Sequence, residues 1–493
     1  MELLQLVRGC TFDDFLFMPQ KGLLLSRDPN AVDLSTRFSE HISIKRPLVS
    51  ANMDTVTRSA MAVLLAEEGG IGVIDRGFRT GDIQPQVMEV EKVKRTQHGI
   101  ITAPHTISGD QSIWEALRKM ENARVGTLVV VDANCRLAGL LTERDLRFAN
   151  HEAPVRERMT PRERLVVSTG LIPLDEAERV MRDHKIKKLP LIDNAGSLLG
   201  IITARDLLHH KRHPFATRDE QGRLRVAAAI GATGDYLERA AELVRTGADV
   251  LVVDIAHGHS RVMERALQEL RKRFEALELI AGNVATAEGV KFLCERDVNG
   301  VKVGIGPGGG CTTRLMTNFG VPQVEALVEC PMAIAANIPL IADGGVHRHG
   351  SLAAALMFGG DSVMLGAAFA GTEETPGEMV LKSVLEPESH KIVKVPFKVF
   401  RGMASLGAIR DRLDLEDADP RELEAIGAEG LEVSVPARGS ARTVIQEMLK
   451  HLCSAISYGG AQSLRELRKE FWAKPASYVV RLSEASKSES FQR

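Results

Sequence analysis

One cysteine of this 493-residue chain, Cys311, stands directly behind a glycine-rich loop. The segment around it, residues 301–323, reads VKVGIGPGGGCTTRLMTNFGVPQ. Glycine allows positive φ and puts no side chain between the backbone and an approaching ligand. Gly304, Gly306, Gly308, Gly309 and Gly310 therefore describe a backbone that a substrate can touch closely. Thr312, Thr313 and Arg314 follow, so a hydroxyl and a guanidinium lie next to the thiol in sequence. Positive charge favours the thiolate, the form that attacks electrophiles. The chemistry expected of Cys311 is nucleophilic. The plainer alternative is a small buried cysteine in a turn, since free cysteine packs as a small hydrophobe.

Context favours the nucleophile. GIGPGGGCTTR resembles the active-site loop of the IMP dehydrogenase and GMP reductase family. Further matches follow in the family's order: TFDDFLFMP (11–19), ANMDTVT (51–57), VVDIAHGHS (252–260), AGNVATAEG (281–289), ADGGV (342–346), MLGAAFAGTEETPGE (364–378) and RGMASLGA (401–408). The resemblance implies attack of Cys311 on C2 of a purine nucleoside 5′-monophosphate, giving a covalent thioimidate. In the dehydrogenase direction hydride passes from IMP to NAD and water releases XMP. In the reductase direction ammonia leaves GMP and NADPH supplies hydride to give IMP.

The same resemblance implies a role for each matching residue. Asp343 would accept hydrogen bonds from the ribose hydroxyls, a carboxylate being able to hold a vicinal diol. Gly345, Gly366 and Ala367 would offer backbone amides to the phosphate. Met403 and Ala404 would meet the purine edge, with Met53, Gly309, Gly344 and Gly402 completing the substrate site. Asp254 and Asn283, with Gly304 and Gly306, would line the nicotinamide side, although a strand-end aspartate such as Asp254 can also cap the next helix. Thr313 and Glu429 would position the leaving or attacking group and move its proton. A monovalent cation, K+, would sit on the carbonyls of Gly306, Gly308 and Cys311, helped by a neighbouring subunit's tail that Glu489 and Ser490 loosely match. His257 and His259 read as polar loop residues, with no nearby cysteine or carboxylate to complete a metal site.

Departures from the family pattern bear on direction. Gly309 replaces a serine, Ala367 a glycine or serine, and Phe400 a tyrosine. Dehydrogenases carry an Arg-Tyr pair in a flap, where the arginine is thought to activate water. The expected flap here, 409–430, holds Arg410, Arg412 and Arg421, but the only tyrosines are Tyr236, Tyr458 and Tyr478, and none follows an arginine. The leading expectation is GMP reductase, with IMP dehydrogenase second. A nucleotide-responsive binding protein that has lost turnover is a third reading, opposed by the retained Cys311, Thr313, Asp343 and Glu429.

Short apolar runs alternating with helix-like stretches must position these groups: PLVSAN, GGIGVI, VAAAIG, VLVVDIA, LELIAGN, GVKVGIG, PLIADGG and DSVMLGA. They predict a (β/α)8 TIM barrel, α/β in class, with the motifs at the strand C-terminal ends. The barrel would occupy 1–95 and 213–493. Between lies an internal repeat: GLLTERDL at 139 returns as GIITARDL at 200, a spacing of 61 residues. Each copy follows an alternating apolar strand and a helix-like stretch. The pair resembles a tandem CBS (Bateman) regulatory domain over 96–212, where Thr142 with Asp145 and Thr203 with Asp206 match positions holding ribose and phosphate. A threonine and an aspartate so spaced also suit a helix cap. Residues 211–225 read as the linker returning to the barrel.

Composition narrows the setting. With 44% hydrophobic residues the chain can bury a large core, and a net charge of -2 gives no electrostatic reason to bind nucleic acid or a membrane surface. The six cysteines form no CxxC pair, which argues against zinc and a disulfide framework and suits a reducing, cytoplasmic setting. No run of about 18 apolar residues appears, and neither export nor membrane spanning is expected. The family's tetramers, which CBS modules can stack into octamers, set the expected assembly.

Overall fold

The computed structural model describes residues 2–96, 99–101, 104–123, 125–334, 337–385, 391–413 and 427–491. The chain divides into two compact units, one formed by 1–96, 215–217 and 224–493, the other by 97–214 and 218–223.

Eight strands close the barrel of the first unit: β1 (Leu48–Ser50), β2 (Ile71–Ile74), β3 (Ala227–Ile230), β4 (Val250–Asp254), β5 (Glu278–Val284), β6 (Gly300–Val303), β7 (Leu340–Asp343) and β8 (Ser362–Leu365). All neighbours are parallel, and β8 returns to β1 through Val363 opposite Leu48. The (β/α)8 barrel expected from the sequence is therefore present. Its strands are continuous apolar runs because both faces are covered. Val49, Ile71, Val73, Ala227, Ala229, Val250, Val252, Ile280, Ile341 and Met364 fill the interior, with Phe38, Ile42 and Ile44 packed in the same cluster. The alternate residues, such as Leu251, Val253, Val301 and Val303, join the surrounding helices in the larger core.

Helix starts follow local chemistry. Ser260 caps Arg261–Arg273 by accepting from the Met263 amide, and Thr286 caps Ala287–Cys294 through Gly289. Two antiparallel additions lie outside the barrel. Phe15–Phe17 pairs with Val479–Arg481, and Val380–Leu385, Ile392–Arg401 and Glu432–Pro436 form a three-stranded sheet. The second was not anticipated, although KIVKVPFKVF carries the period-2 alternation of a strand with one wet face.

In the second unit each repeat has its own core. Ile107, Ile113, Leu128 and Leu141 belong to the first, and Ala177, Met181, Leu189 and Ile202 to the second. A further cluster, Val129, Leu137, Leu140, Ile192 and Ile201, joins the copies. Helix Ala204–Arg212 begins inside the second Thr-Asp motif, with Thr203 just before it and Asp206 in its first turn, whereas turns follow the first. The segment expected as a linker is divided between the units. Asp219 accepts the Gln221 and Arg223 amides in a tight turn, while the Thr217 amide bonds Ala66 of the barrel unit.

Phe358 is fully buried, with ring centroids 5.6 Å from Phe15, 5.5 Å from Phe17 and 5.5 Å from Phe471. Phe358→Ala removes the ring shared by these contacts and should lower stability by about 3–5 kcal/mol in denaturant unfolding. A loss below about 1 kcal/mol would mean that the cluster does not anchor the N-terminal strand.

Candidate active site

The mouth is built on a buried lysine. Lys302, on β6, is 2% exposed, and its ammonium lies 2.6 Å from Asp254 at the end of β4 and 2.8 Å from Asp343 at the end of β7. Asn52, just beyond β1, accepts from it at 3.3 Å. Burial alone would push the ammonium's pKa down, but the two carboxylates more than offset this and raise it. Burial would likewise raise Asp254, yet Lys302 and Arg76 hold it below the usual carboxylate range. Asp254 is therefore an ion-pair partner, and the cap it might have supplied to the following helix comes from Ser260.

Asn283 extends this network. Its amide donates to the Gly304 carbonyl at 2.7 Å and to Asp343 Oδ2 at 2.8 Å, while its Oδ1 is buried without a partner. Asp343 thus spends one oxygen on both Lys302 and Asn283, and Oδ1 takes no hydrogen bond among the described residues. Gly304 shows why glycine is needed there: φ is 151°, and a Cβ would lie 2.0 Å from the Asp343 carbonyl.

The thiol faces the hydroxyl expected beside it. Cys311 Sγ lies 3.3 Å from Thr313 Oγ1, which donates to Glu429 Oε2 at 2.7 Å. The Thr312 amide bonds the Glu429 carbonyl, the Glu429 amide bonds Ala404, and the Leu431 amide bonds Gly310. Three distant segments therefore meet, and glycines stand at two of the tightest approaches: a Cβ on Gly402 would fall 2.4 Å from the Gly310 carbonyl, and one on Gly430 2.6 Å from the Ser405 amide. The guanidinium bonds elsewhere. Arg314 donates to the carbonyls of Ile305 and Val321 and packs against Gly306 and Gly320, so its hydrogen bonds brace the loop while its charge and Cys311 attract each other.

Backbone converges beside the loop. Gly344 has φ 91°, and a Cβ there would meet the Gly308 amide at 2.9 Å; Gly309 faces Ala367, and Gly366 faces Met53. The amides of Gly309, Gly345, Gly366 and Ala367 donate to no protein acceptor among the described residues. The Gly308 carbonyl already accepts from Cys311 at 3.0 Å. Met403 Sδ accepts from the Asp54 amide at 3.3 Å.

Other expected residues lie apart from this mouth. In the second unit, Thr142 Oγ1 donates to Asp145 at 2.7 Å and Thr203 Oγ1 to Asp206 at 2.5 Å, each pair closing its own turn. His259 packs on Phe292 at 4.7 Å. Glu489 and Ser490 lie on helix Glu484–Phe491, whose Lys487 bonds Asp14 at 2.6 Å. Phe400 is buried. Arg410 and Arg412 end helix Leu406–Leu413, and Arg421 lies outside the described residues.

Several residues at the mouth escaped the sequence reading. Lys302 had a signal, a lone cation in an otherwise apolar strand. Arg401, which ion-pairs Asp54 and Asp411 at 2.6 Å each, had none, since its partners are distant or ordinary in sequence. Asp75, just past β2, is wholly buried, 3.4 Å from Arg58. Burial, opposed by Arg58 and aided by Asp54, pushes its pKa up to about 6.

A parallel barrel carrying these groups at its strand C-termini has the layout of a (β/α)8-barrel enzyme. Residues 9–492 match the IMP dehydrogenase / GMP reductase domain model. The inosine-5′-monophosphate dehydrogenase of Aquifex aeolicus is 43% identical over 466 residues, covering 94% of this chain and 92% of that protein. Among solved structures, a cysteine-to-alanine variant of GMP reductase from Trypanosoma brucei with guanosine 5′-monophosphate superposes with a TM-score of 0.84 at 35% identity, covering 98% of this chain and 97% of the other. The same organism's GMP reductase with guanosine 5′-triphosphate gives 0.74 at 32% identity, covering 96% and 98%. The chain belongs to the IMP dehydrogenase / GMP reductase family and is an oxidoreductase.

Two outcomes test the electrostatics. Lys302→Met leaves Asp254 and Asp343 buried without their cation and should cost about 3–5 kcal/mol in stability; a change within about 0.5 kcal/mol would refute its bracing role. Asp75 binds its proton more tightly folded, near 6, than unfolded, near 3.8, so its contribution to stability falls as pH rises from about 4 to about 6. Over that interval Asp75→Asn should gain on the native chain by up to about 3 kcal/mol, and parallel stability–pH curves would contradict this.

Proposed function

We propose that this protein is a GMP reductase with a nucleotide-responsive second unit. The observation that carries the direction is that the chain lacks any Arg-Tyr pair while Cys311, Thr313 and Glu429 remain in contact. Release of product by water requires an activated water molecule, whereas reduction does not. The near end-to-end match to a GMP reductase supports the reading, because that enzyme has this chain's full organisation, second unit included. The dehydrogenase relatives and RGMASLGA favour the second reading, IMP dehydrogenase acting on IMP with NAD and water.

On the leading reading the monophosphate lies on the free amides of Gly309, Gly345, Gly366 and Ala367, the geometry of an anion cradle. Asp343 Oδ1 takes the ribose, and Met53, Gly344, Gly402, Met403 and Ala404 border the base. The Cys311 thiolate adds to C2, and the Cys311–C2 bond forms as the exocyclic nitrogen leaves as ammonia. Thr313, backed by Glu429, delivers the proton to that nitrogen. NADPH, when bound, would supply the hydride that C2 receives; Cys311 would then leave C2 as the thiolate. Asp254, Asn283, Gly304 and Gly306 border the hydride side. Carbonyls of Gly306, Gly308 and Cys311 would be the oxygen donors for K+, on a loop that Arg314 braces.

In the second unit, Thr142, Asp145, Thr203 and Asp206 would bind a regulatory purine nucleotide; the relative crystallised with guanosine 5′-triphosphate supports that class of effector. Its effect on turnover or on assembly, tetramer or octamer, would reflect a coupling of roughly 1–3 kcal/mol. The 96–212 insert would be regulatory, the remainder catalytic.

Nicotinamide absorbance decides the direction. Oxidation of NADPH is expected with GMP, and no reduction of NAD is expected with IMP and K+; the reverse pattern overturns the proposal in favour of the dehydrogenase. Cys311→Ala should abolish turnover, and full activity in that variant would instead support a binding protein. Deletion of residues 100–210 should preserve turnover and abolish the response to purine nucleotides. Loss of turnover together with the insert would contradict a purely regulatory role.

A further inference from the structure

Several cations around the mouth face carboxylates, and two arginines do not. Lys302 is held by Asp254 and Asp343, Arg401 by Asp54 and Asp411, and Arg58 by Asp75. Arg76 and Arg412 have no ion pair or side-chain hydrogen bond among the described residues. Neither is a freely solvated surface arginine: both are partly buried, and Arg76 Nε is fully shielded and unpartnered. Arg46, Arg218 and Arg296 also have a shielded Nε without a partner, but each is bonded through another nitrogen, whereas Arg76 makes no side-chain bond at all among the described residues. Leaving a shielded guanidinium so is costly, which points to an acceptor supplied by a ligand.

Their position says which ligand. Arg76 follows β2, its guanidinium beside Gly231 at the end of β3, and its charge reaches Asp254 at the end of β4. That arc lies across the mouth from the free amides after β6, β7 and β8. Arg412 is brought to the same arc by its own carbonyl, which accepts the Thr80 amide at 3.0 Å. Asp235 fixes the intervening turn by accepting from Gly81 at 2.9 Å while bonding Arg239. Burial and the facing charge of Arg76 lower the pKa of Arg412, against the pull of Asp54. Two guanidiniums held against their mutual repulsion suit a dianion concentrated at one phosphorus. A phosphate monoester meets that condition, whereas a diphosphate bridge spreads its charge over two phosphorus atoms.

We propose that Arg76 and Arg412 together receive the 2′-phosphate of the dinucleotide and so select NADPH over NADH. The assignment rests on the reductase reading for its cofactor. Where a carboxylate would favour a ribose 2′-hydroxyl, paired guanidiniums favour its phosphate ester.

The test compares the full-length protein with Arg76→Gln, Arg412→Gln and Arg412→Lys, measuring calorimetric binding of adenosine 2′,5′-bisphosphate and of AMP, and the KM for NADPH and NADH with GMP. Each glutamine variant should weaken adenosine 2′,5′-bisphosphate by roughly tenfold to a hundredfold, leave AMP and GMP binding unchanged, and raise KM for NADPH alone. Arg412→Lys, which keeps the charge, should restore part of the affinity. No selective loss for the bisphosphate overturns the proposal, and equal losses for NADPH and NADH overturn it by placing the arginines at the shared diphosphate. Failure of the reductase reading would appear separately, as absence of GMP-dependent NADPH oxidation, while the two adenosine ligands still report on the arginines.

Discussion

The mouth depends on one ammonium group buried among carboxylates. Lys302 keeps its charge inside a barrel because Asp254 and Asp343 face it, and in return it holds the buried Asp254 ionised. Because the three side chains come from β6, β4 and β7, satisfying them fixes the heights of three strand ends. Asn52 after β1 and Asn283 on β5 join through hydrogen bonds, so five of the eight strand ends share one polar network. Asp343 is thereby oriented with one oxygen committed and the other open.

Above this rigid floor the Cys311 loop is positioned by backbone. Gly310 approaches Gly402, Cys311 bridges Gly430, and Thr312 bonds Glu429, so residues 92 to 119 positions apart form a single layer. Side chains at these contacts would force the strands of backbone apart. The thiol, the Thr313 hydroxyl and the Glu429 carboxylate therefore stand in line because glycine lets three loops touch, with Arg314 fastening the outer edge.

The barrel could be read from sequence because each strand is an apolar run closed by polar or glycine residues, and the second unit because GLLTERDL and GIITARDL agree at five of eight positions. The site was readable wherever a motif is contiguous, as at Cys311 and Thr313. It was not readable where two residues matter only as partners: nothing in sequence couples Arg401 to Asp54, or Asp75 to Arg58. Nearness in sequence told only part of the role of Arg314, whose charge is felt by the thiol three positions before it while its hydrogen bonds go to Ile305 and Val321. Lys302 was passed over because periodicity registers where a strand runs and not the charge hidden within it.

The interruption between β2 and β3 has a consequence for how the chain reaches this state. These strands are bonded neighbours, Val73 opposite Ala227, although the whole second unit separates them in sequence. Pairing ends so far apart carries a loop-closure entropy that grows with the length of free chain between them. The second unit shortens that free length by its own folding, for Gly99 and Gly222, near its two ends, come within van der Waals reach of one another. Once its local strands and helices have formed, the two sides of the barrel seam are delivered on short tethers. The β8 to β1 closure joins Leu48 to Val363 through contacts made across most of the polypeptide, which is the slow kind of pairing in folding.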